Sequence, residues 1–152
     1  MPNGYNGKIL HVDLNASSFT VEEPPESFYR TYMGGSGLAS YYLLKGIGPG
    51  TDPLGPDNLL VFACSVVTGA PLSGFSRCTV AAKSPLTGGF GEAEAGGYFG
   101  PELKFAGYDA VVIRGRSSRP VYLWIHDGKV EIRAADALWG LGNAETLDRI
   151  RE

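Results

Sequence analysis

The sequence predicts a domain of mixed class, short strands and hairpins interspersed with a few helices. Three observations carry that class. Short alternating segments recur along the chain, each bounded by turn-forming residues. Helical spacing of apolar residues is confined to three stretches. The 22 glycines and 10 prolines fall between these segments and form no low-complexity tract, so they punctuate short elements rather than replace them.

Taken in order, KILHVDL (Lys8 to Leu14) and SFTVE (Ser18 to Glu22) alternate in polarity, are joined by the turn-forming NASS, and predict an opening hairpin at a sheet edge. Pro24 and Pro25 stop the second strand, because proline has no amide to give a ladder. Phe28, Tyr32, Leu38, Tyr42 and Leu43 then follow a helical spacing that Gly34, Gly35 and Gly37 interrupt. The expectation is a short helix, a glycine break, and a longer helix from Ser36 to Lys45. The loop GPGTDPLGPDN leads into LLVFACSVV (Leu59 to Val67), a buried strand, and after the irregular TGAPLSGF comes a further strand, SRCTVAAK (Ser76 to Lys83).

LTGGFGEAEAGGYFG (Leu86 to Gly100) is expected to be a glycine-rich loop, and PELKFAGYD after it a short helix with Pro101 in its first turn. AVVIRG, PVYLWIH and KVEIRA predict three strands, the last two joined through Asp127-Gly128, the signal of a type I′ turn. AETLDRIRE predicts a final helix with Asn143 as its N-cap. GYNGKILHVDL and GYDAVVIRGRS both set Gly-Tyr before a strand, which is compatible with a duplicated unit.

Composition narrows the function. With 152 residues the chain has the size of one domain and can bury about two-thirds of the surface its unfolded form exposes. A net charge of −3, with 13 basic residues that form no block, argues against nucleic acid or an anionic membrane as partner. No apolar run is long enough to span a bilayer, and MPNGYNGKILHVDL has neither a charged nor an apolar leader region, so a cytoplasmic protein is expected. Cys64 and Cys78 are too few for a disulfide scaffold and too far apart for a CxxC metal knuckle, and both are read as buried thiols in strands.

The glycine-rich stretch can be tested against known phosphate loops. Gly91 to Gly96 has P-loop spacing, but Gly97 stands where the lysine is required and Tyr98 where the hydroxyl is required. Gly89 and Gly91 begin a dinucleotide fingerprint, yet Glu94 replaces its third glycine. Glu92 and Glu94, at i and i+2, are expected to point to opposite sides of an extended chain, so a shared catalytic site would need a special turn. A carboxylate in a phosphate-type loop makes sense if Mg²⁺ stands between it and the phosphate; the alternative is two solvated glutamates in a tightly packed loop. Arg77, at the start of a strand, is either a bidentate phosphate clamp or a surface cation. His11 and His126 read as strand and turn residues rather than as ligands or bases, and no serine lies in a nucleophile elbow.

Four blocks carry a resemblance: DPLGPDNLLVFA from Asp52, SPLTG from Ser84, GGYFGPELKFAGYDAVVIRG from Gly96, and PVYLWIHDGKVEIR followed by LWG at Leu138. In the same order they closely resemble the N-terminal domain of the tungsten-containing aldehyde:ferredoxin oxidoreductase family. The resemblance implies an α+β domain of duplicated β-α-β(4)-like units forming two mainly antiparallel sheets, a saddle for the cofactor. Residues 1–152 would be this tungstopterin-binding domain, with the later helical domains outside the sequence given.

It further implies tungsten or molybdenum held by two pterins, Mg²⁺ bridging the pterin phosphates, and a [4Fe-4S] cluster whose ligands lie elsewhere. The implied reaction is oxidation of aldehydes to carboxylic acids with ferredoxin as electron acceptor; a homodimer is also compatible with it. No catalytic residue falls in this segment. Arg77 matches an arginine that contacts the pterin. Glu94 falls where the archetypal enzymes have an asparagine that helps hold Mg²⁺, and is the implied metal ligand. Ala95, Gly96 and Gly97 belong to the cofactor-binding stretch, Gly96 matching a backbone position on the phosphates. The other reading is a stand-alone pterin-binding or structural subunit without activity.

Overall fold

The computed structural model describes residues 4–151. Two sheets and four helices are present, and the larger sheet organises everything else. Strands β1 (Ile9–Asp13) and β2 (Ser18–Glu22) form the predicted hairpin. Helices α1 (Glu26–Tyr32) and α2 (Gly35–Gly46) follow, then β3 (Leu59–Cys64), β4 (Cys78–Lys83) and β5 (Phe90–Ala95). Helix α3 (Phe99–Phe105) leads to β6 (Ala110–Arg114), the hairpin β7 (Val121–His126) and β8 (Lys129–Ala134), and α4 (Asn143–Arg151).

The large sheet has the order β2-β1-β6-β3-β4-β5, and every pairing is antiparallel except β1 with β6. Alternation along these strands sends residues to two cores. One face gives Ile9, Val61, Ala63, Ala81, Ala110 and Val112 to α1 and α2, which return Tyr29, Leu38, Ala39, Tyr42 and Leu43. The other gives Leu10, Val12, Cys64, Cys78 and Val111 to Leu103 of α3 and to the β7–β8 ribbon, through Val130, Leu123, Ile125 and Ile132. Residues such as Ile9, Leu10, Leu38 and Val61 are fully buried, each contributing about 1.5–3 kcal/mol by its removal from water.

The break between α1 and α2 has a backbone cause. Met33 closes α1 in the left-handed region at φ 57°, and Gly34 follows at φ 92°. A side chain at Gly34 would strike the Cys64 carbonyl oxygen and come within 2.7 Å of the Ser65 Cα, so only glycine lets α2 begin against the end of β3.

The two Gly-Tyr pairs do precede neighbouring strands, β1 and β6, but their tyrosines serve different cores. Tyr5 stacks on Tyr29 with ring centroids 4.2 Å apart, whereas the Tyr108 hydroxyl donates to the Gly128 carbonyl at 2.9 Å. A buried ion pair fastens the same region. Lys104 donates to Asp109 at 2.9 Å, both side chains being almost wholly buried, and also to the carbonyl of Gly4. Asp109 in turn accepts from the amides of Asn6, Gly7 and Lys8. Much of the motif KFAGYD thus holds the N-terminal segment to the sheet.

The expected glycine-rich loop is the main correction. Phe90 to Ala95 is a strand, paired with β4 over its whole length from Phe90↔Lys83 to Ala95↔Cys78. Glycine, alanine and glutamate have low strand propensity, and pairing with β4 overrides it. The true turn is Ser84–Gly89, closed by Ser84, whose amide donates to the Gly89 carbonyl and whose hydroxyl accepts from Leu86 and Thr87. Asn143 is the first helical residue of α4 rather than its cap, since Thr146 donates to the Gly142 carbonyl.

Candidate functional site

β5 is an edge strand, and the pattern of backbone bonds shows which of its groups are free. The Cys64 amide donates to the carbonyl of Asp109, the residue just before β6, and the amides of Leu14 and Gly115 bond as the same alternation requires. Residues 61 and 63 of β3 therefore bond to β4, residues 78, 80 and 82 of β4 bond to β5, and Gly91, Ala93 and Ala95 answer them. The amides and carbonyls of Glu92 and Glu94 are left pointing out of the sheet edge.

The two glutamates stand two residues apart in a strand, so their side chains share a face without any special turn. This corrects the expectation that they diverge. Glu94 lies opposite Thr79 and Glu92 opposite Ala81, whose side chains are on the α2 side of the sheet. The first turn of α2 is close by: a side chain on Gly35 would come 3.4 Å from the Thr79 hydroxyl oxygen. That helix starts at Gly34 with no side-chain cap, so its first amides face outward with the positive end of the helix dipole.

Arg77 immediately precedes β4 and is brought to the same place. Its Nη1 donates to Glu94 Oε2 at 3.5 Å, with the two side chains 66% and 48% exposed. A pair that long and that exposed is worth at most ~1 kcal/mol, so neither partner is committed to the other. The backbone is fixed far more firmly than the side chain. Buried Thr68 donates from its hydroxyl to the Arg77 carbonyl at 2.8 Å and accepts from the Ser65 amide at 2.9 Å, which pins the loop between β3 and β4.

Beyond β5 the chain turns through Gly96 and Gly97. Gly97 has φ 96° and no atom within 4 Å of where a Cβ would stand, and its amide donates to the Ser76 hydroxyl at 3.3 Å. A Cβ on Gly96 would meet the same hydroxyl at 3.6 Å. Ser76 and Thr68 were not legible as site residues: one is an ordinary serine beside a strand, the other a buried threonine in an irregular loop. The residues singled out in the sequence, Arg77, Glu94, Ala95, Gly96 and Gly97, thus lie along one open edge. It carries one cation, carboxylate oxygens, free backbone groups and a stretch bare of side chains.

A larger cleft of about 840 Å³ lies across the hairpin β1–β2, lined by His11, Glu22, Tyr42, Lys45, Asp57 and Arg114 among others. Several of its polar groups are matched with one another. Glu22 accepts from Tyr42 at 2.8 Å and is 2.7 Å from His11 Nε2, while Arg114 reaches Asp13 at 3.4 Å. Burial first, and then the bond to Glu22, pushes the Tyr42 hydroxyl pKa well above its usual value, so it stays a proton donor to Glu22. Among the described residues no three His, Cys, Asp or Glu side chains gather as a metal site, and no helix is long and apolar enough to cross a membrane.

Comparison with known proteins agrees with the fold and with the sequence blocks. Residues 9–152 match the family model described as aldehyde ferredoxin oxidoreductase, N-terminal domain. A tungsten-containing aldehyde ferredoxin oxidoreductase of Pyrococcus abyssi is 46% identical over 149 residues, 98% of this chain and 24% of that protein. The WOR-like subunit of an aliphatic sulfonate oxidoreductase of Pyrococcus furiosus is 41% identical over 147 residues, 93% of this chain and 23% of that protein. A solved chain of the active site complex BamBC of benzoyl coenzyme A reductase superposes with a TM-score of 0.94 at 38% identity, covering 98% of this chain and 23% of that one. This chain therefore spans about a quarter of the length of the relatives it matches. It belongs to the aldehyde ferredoxin oxidoreductase family, of which it forms the N-terminal domain.

Proposed function

We propose that this domain grips a tungsten or molybdenum bis-pterin cofactor along the β5 edge, as part of a longer oxidoreductase. The observation that carries the reading is the convergence of Arg77, Glu94 and the unobstructed Gly96–Gly97 backbone on one open strand edge. Each has a physical task. The Arg77 guanidinium offers a planar fork of donors to a phosphate or a pterin edge. The Gly97 position admits a ligand close to the main chain because no Cβ occupies the space. Glu94 supplies a hard oxygen ligand suited to Mg²⁺, which takes one or two protein oxygens and completes its shell from phosphates and water.

When bound, the metal would supply two-electron redox chemistry, and the domain's share is binding and electrostatics. Electron transfer through a [4Fe-4S] cluster to ferredoxin would need ligands and surfaces outside this chain. The relatives' names include an aldehyde, an aliphatic sulfonate and a benzoyl coenzyme A enzyme at 46%, 41% and 38% identity. What so similar a domain contributes to such different substrates is best read as cofactor binding. Aldehyde oxidation to a carboxylic acid is the reaction favoured for the whole protein, because 44–46% identical relatives carry that name.

Arg77→Ala in the whole polypeptide tests this. Loss of a charge-assisted hydrogen bond costs about 1.5–3 kcal/mol, so pterin should be held roughly ten- to a hundredfold less tightly. The measurement is pterin released per chain after acid denaturation, and Arg77→Lys should restore part of it. Unchanged pterin content in Arg77→Ala would return Arg77 to the solvated surface.

A further inference from the structure

We propose that Cys64 and Cys78 form a redox-modifiable site, a dithiol placed to close into a cross-strand disulfide behind the candidate cofactor edge. Cys64 is the last residue of β3 and Cys78 the first of β4, and the two are direct partners in the antiparallel register. The Cys64 amide is spent on the carbonyl of Asp109, just before β6, so Cys64 and Cys78 occupy a non-hydrogen-bonded position of the β3–β4 ladder. At such positions facing Cα atoms stand about 4.5 Å apart and side chains approach most closely, within the span of about 4.4–6.8 Å that a disulfide bridges.

Both side chains point into the same core, beneath the start of α3. Cys64 donates to the Gly100 carbonyl at 3.4 Å, and a Cβ on Gly100 would come 3.3 Å from the Cys78 Cβ. Cys78 donates to the Thr79 carbonyl at 3.7 Å, and the influence of each thiol on its neighbour divides their roles. The adjacent Cys64 thiol lowers the Cys78 pKa, while Cys78, with burial next, raises that of Cys64. Cys78 is the attacking sulfur and Cys64 the resolving one.

With hydrogen peroxide as oxidant the chemistry balances. The Cys78 sulfur attacks one peroxide oxygen, the O–O bond breaks, and the thiol becomes a sulfenic acid as water leaves. The Cys64 sulfur then attacks the Cys78 sulfur. An S–S bond forms and hydroxide departs, taking the Cys64 proton to make a second water. The thiols lose two electrons and the peroxide gains them. Closing the bond removes the proton that Cys64 gives to Gly100. It also fixes Cys78, which is next to Arg77 in sequence and opposite Ala95 in register, so the change falls directly on the candidate site.

The test uses the unmutated whole polypeptide, purified reduced and without oxygen, then treated stepwise with hydrogen peroxide and digested with trypsin in the absence of reductant. Cleavage after Arg77 separates the two cysteines, so the bond links the peptide ending at Arg77 to the peptide Cys78–Lys83. The expected product is this linked pair, lighter by two hydrogens than the sum of its parts and released by dithiothreitol. In Cys64→Ala the Cys78 peptide should instead end as a sulfenic or sulfinic acid. Recovery of both peptides as free thiols at peroxide doses that oxidise the protein's methionines would overturn the proposal. So would conversion of Cys78 to sulfinic acid without linkage in the unmutated chain.

Discussion

Single residues in this domain divide into those that hold the scaffold and those that remain uncommitted. Lys104 and Asp109 are the clearest of the first kind: a buried, fully paired charge couple that also satisfies the amides of three N-terminal residues. Removing one partner strands the other, which costs about 3–5 kcal/mol in buried pairs. Asp109→Ala should therefore release residues 4–8 and the start of β6, measurable as faster amide hydrogen exchange there in the whole protein. Unaltered protection would show that the pair is dispensable. Arg77 and Glu94 are of the second kind. They lie within reach of each other, yet exposure and a 3.5 Å separation leave both available to a ligand. As candidates they were legible through the resemblance, whereas a carboxylate amid glycines by itself only raised the question of a cation. Ser76 and Thr68 were not, since a hydroxyl that serves the backbone of a site looks like any other until the loop is folded.

At the scale of elements, strands with alternating pattern and clear turn chemistry were legible almost to the residue. Asp127 and Gly128 both adopt positive φ, at 48° and 75°, as a type I′ turn requires, and SFTVE is β2 as predicted. β5 was hidden because its own composition argues against a strand. Its conformation comes from pairing with β4 across the Ser84–Gly89 turn, and no local propensity announces that. The hidden element is also the one that bears the candidate site. An edge strand of small and acidic residues resists pairing with other strands while leaving backbone groups accessible. The α1–α2 junction depends on a different local rule. Gly34→Ala adds a backbone strain of ~1–3 kcal/mol, because φ 92° with ψ −168° is open essentially to glycine alone, to a collision with the end of β3. The variant should lower the thermal unfolding temperature of the protein and the exchange protection of α2. A variant with unchanged melting and protection would mean that the junction relaxes at no cost.

For the molecule as a whole, two cores clamp one six-stranded sheet, and its β5 edge is left open. Helices α1 and α2 on one face and α3 with the β7–β8 ribbon on the other hold the strands inside that edge, while β5 itself is held by its pairing with β4 and is exposed on both faces. The α+β class and its two sheets followed from strand alternation and from the resemblance. The inequality of the sheets, six strands against two, did not follow, because register and strand order depend on long-range contacts that one sequence does not display. The central claim is that this edge exists to hold a metal-bearing pterin. Its most direct test is elemental and pterin analysis of the whole protein, expressed with tungstate and molybdate and purified without oxygen. Tungsten or molybdenum, together with pterin and Mg²⁺, is expected in fixed ratio to the polypeptide. A folded protein with neither heavy metal nor pterin would contradict it.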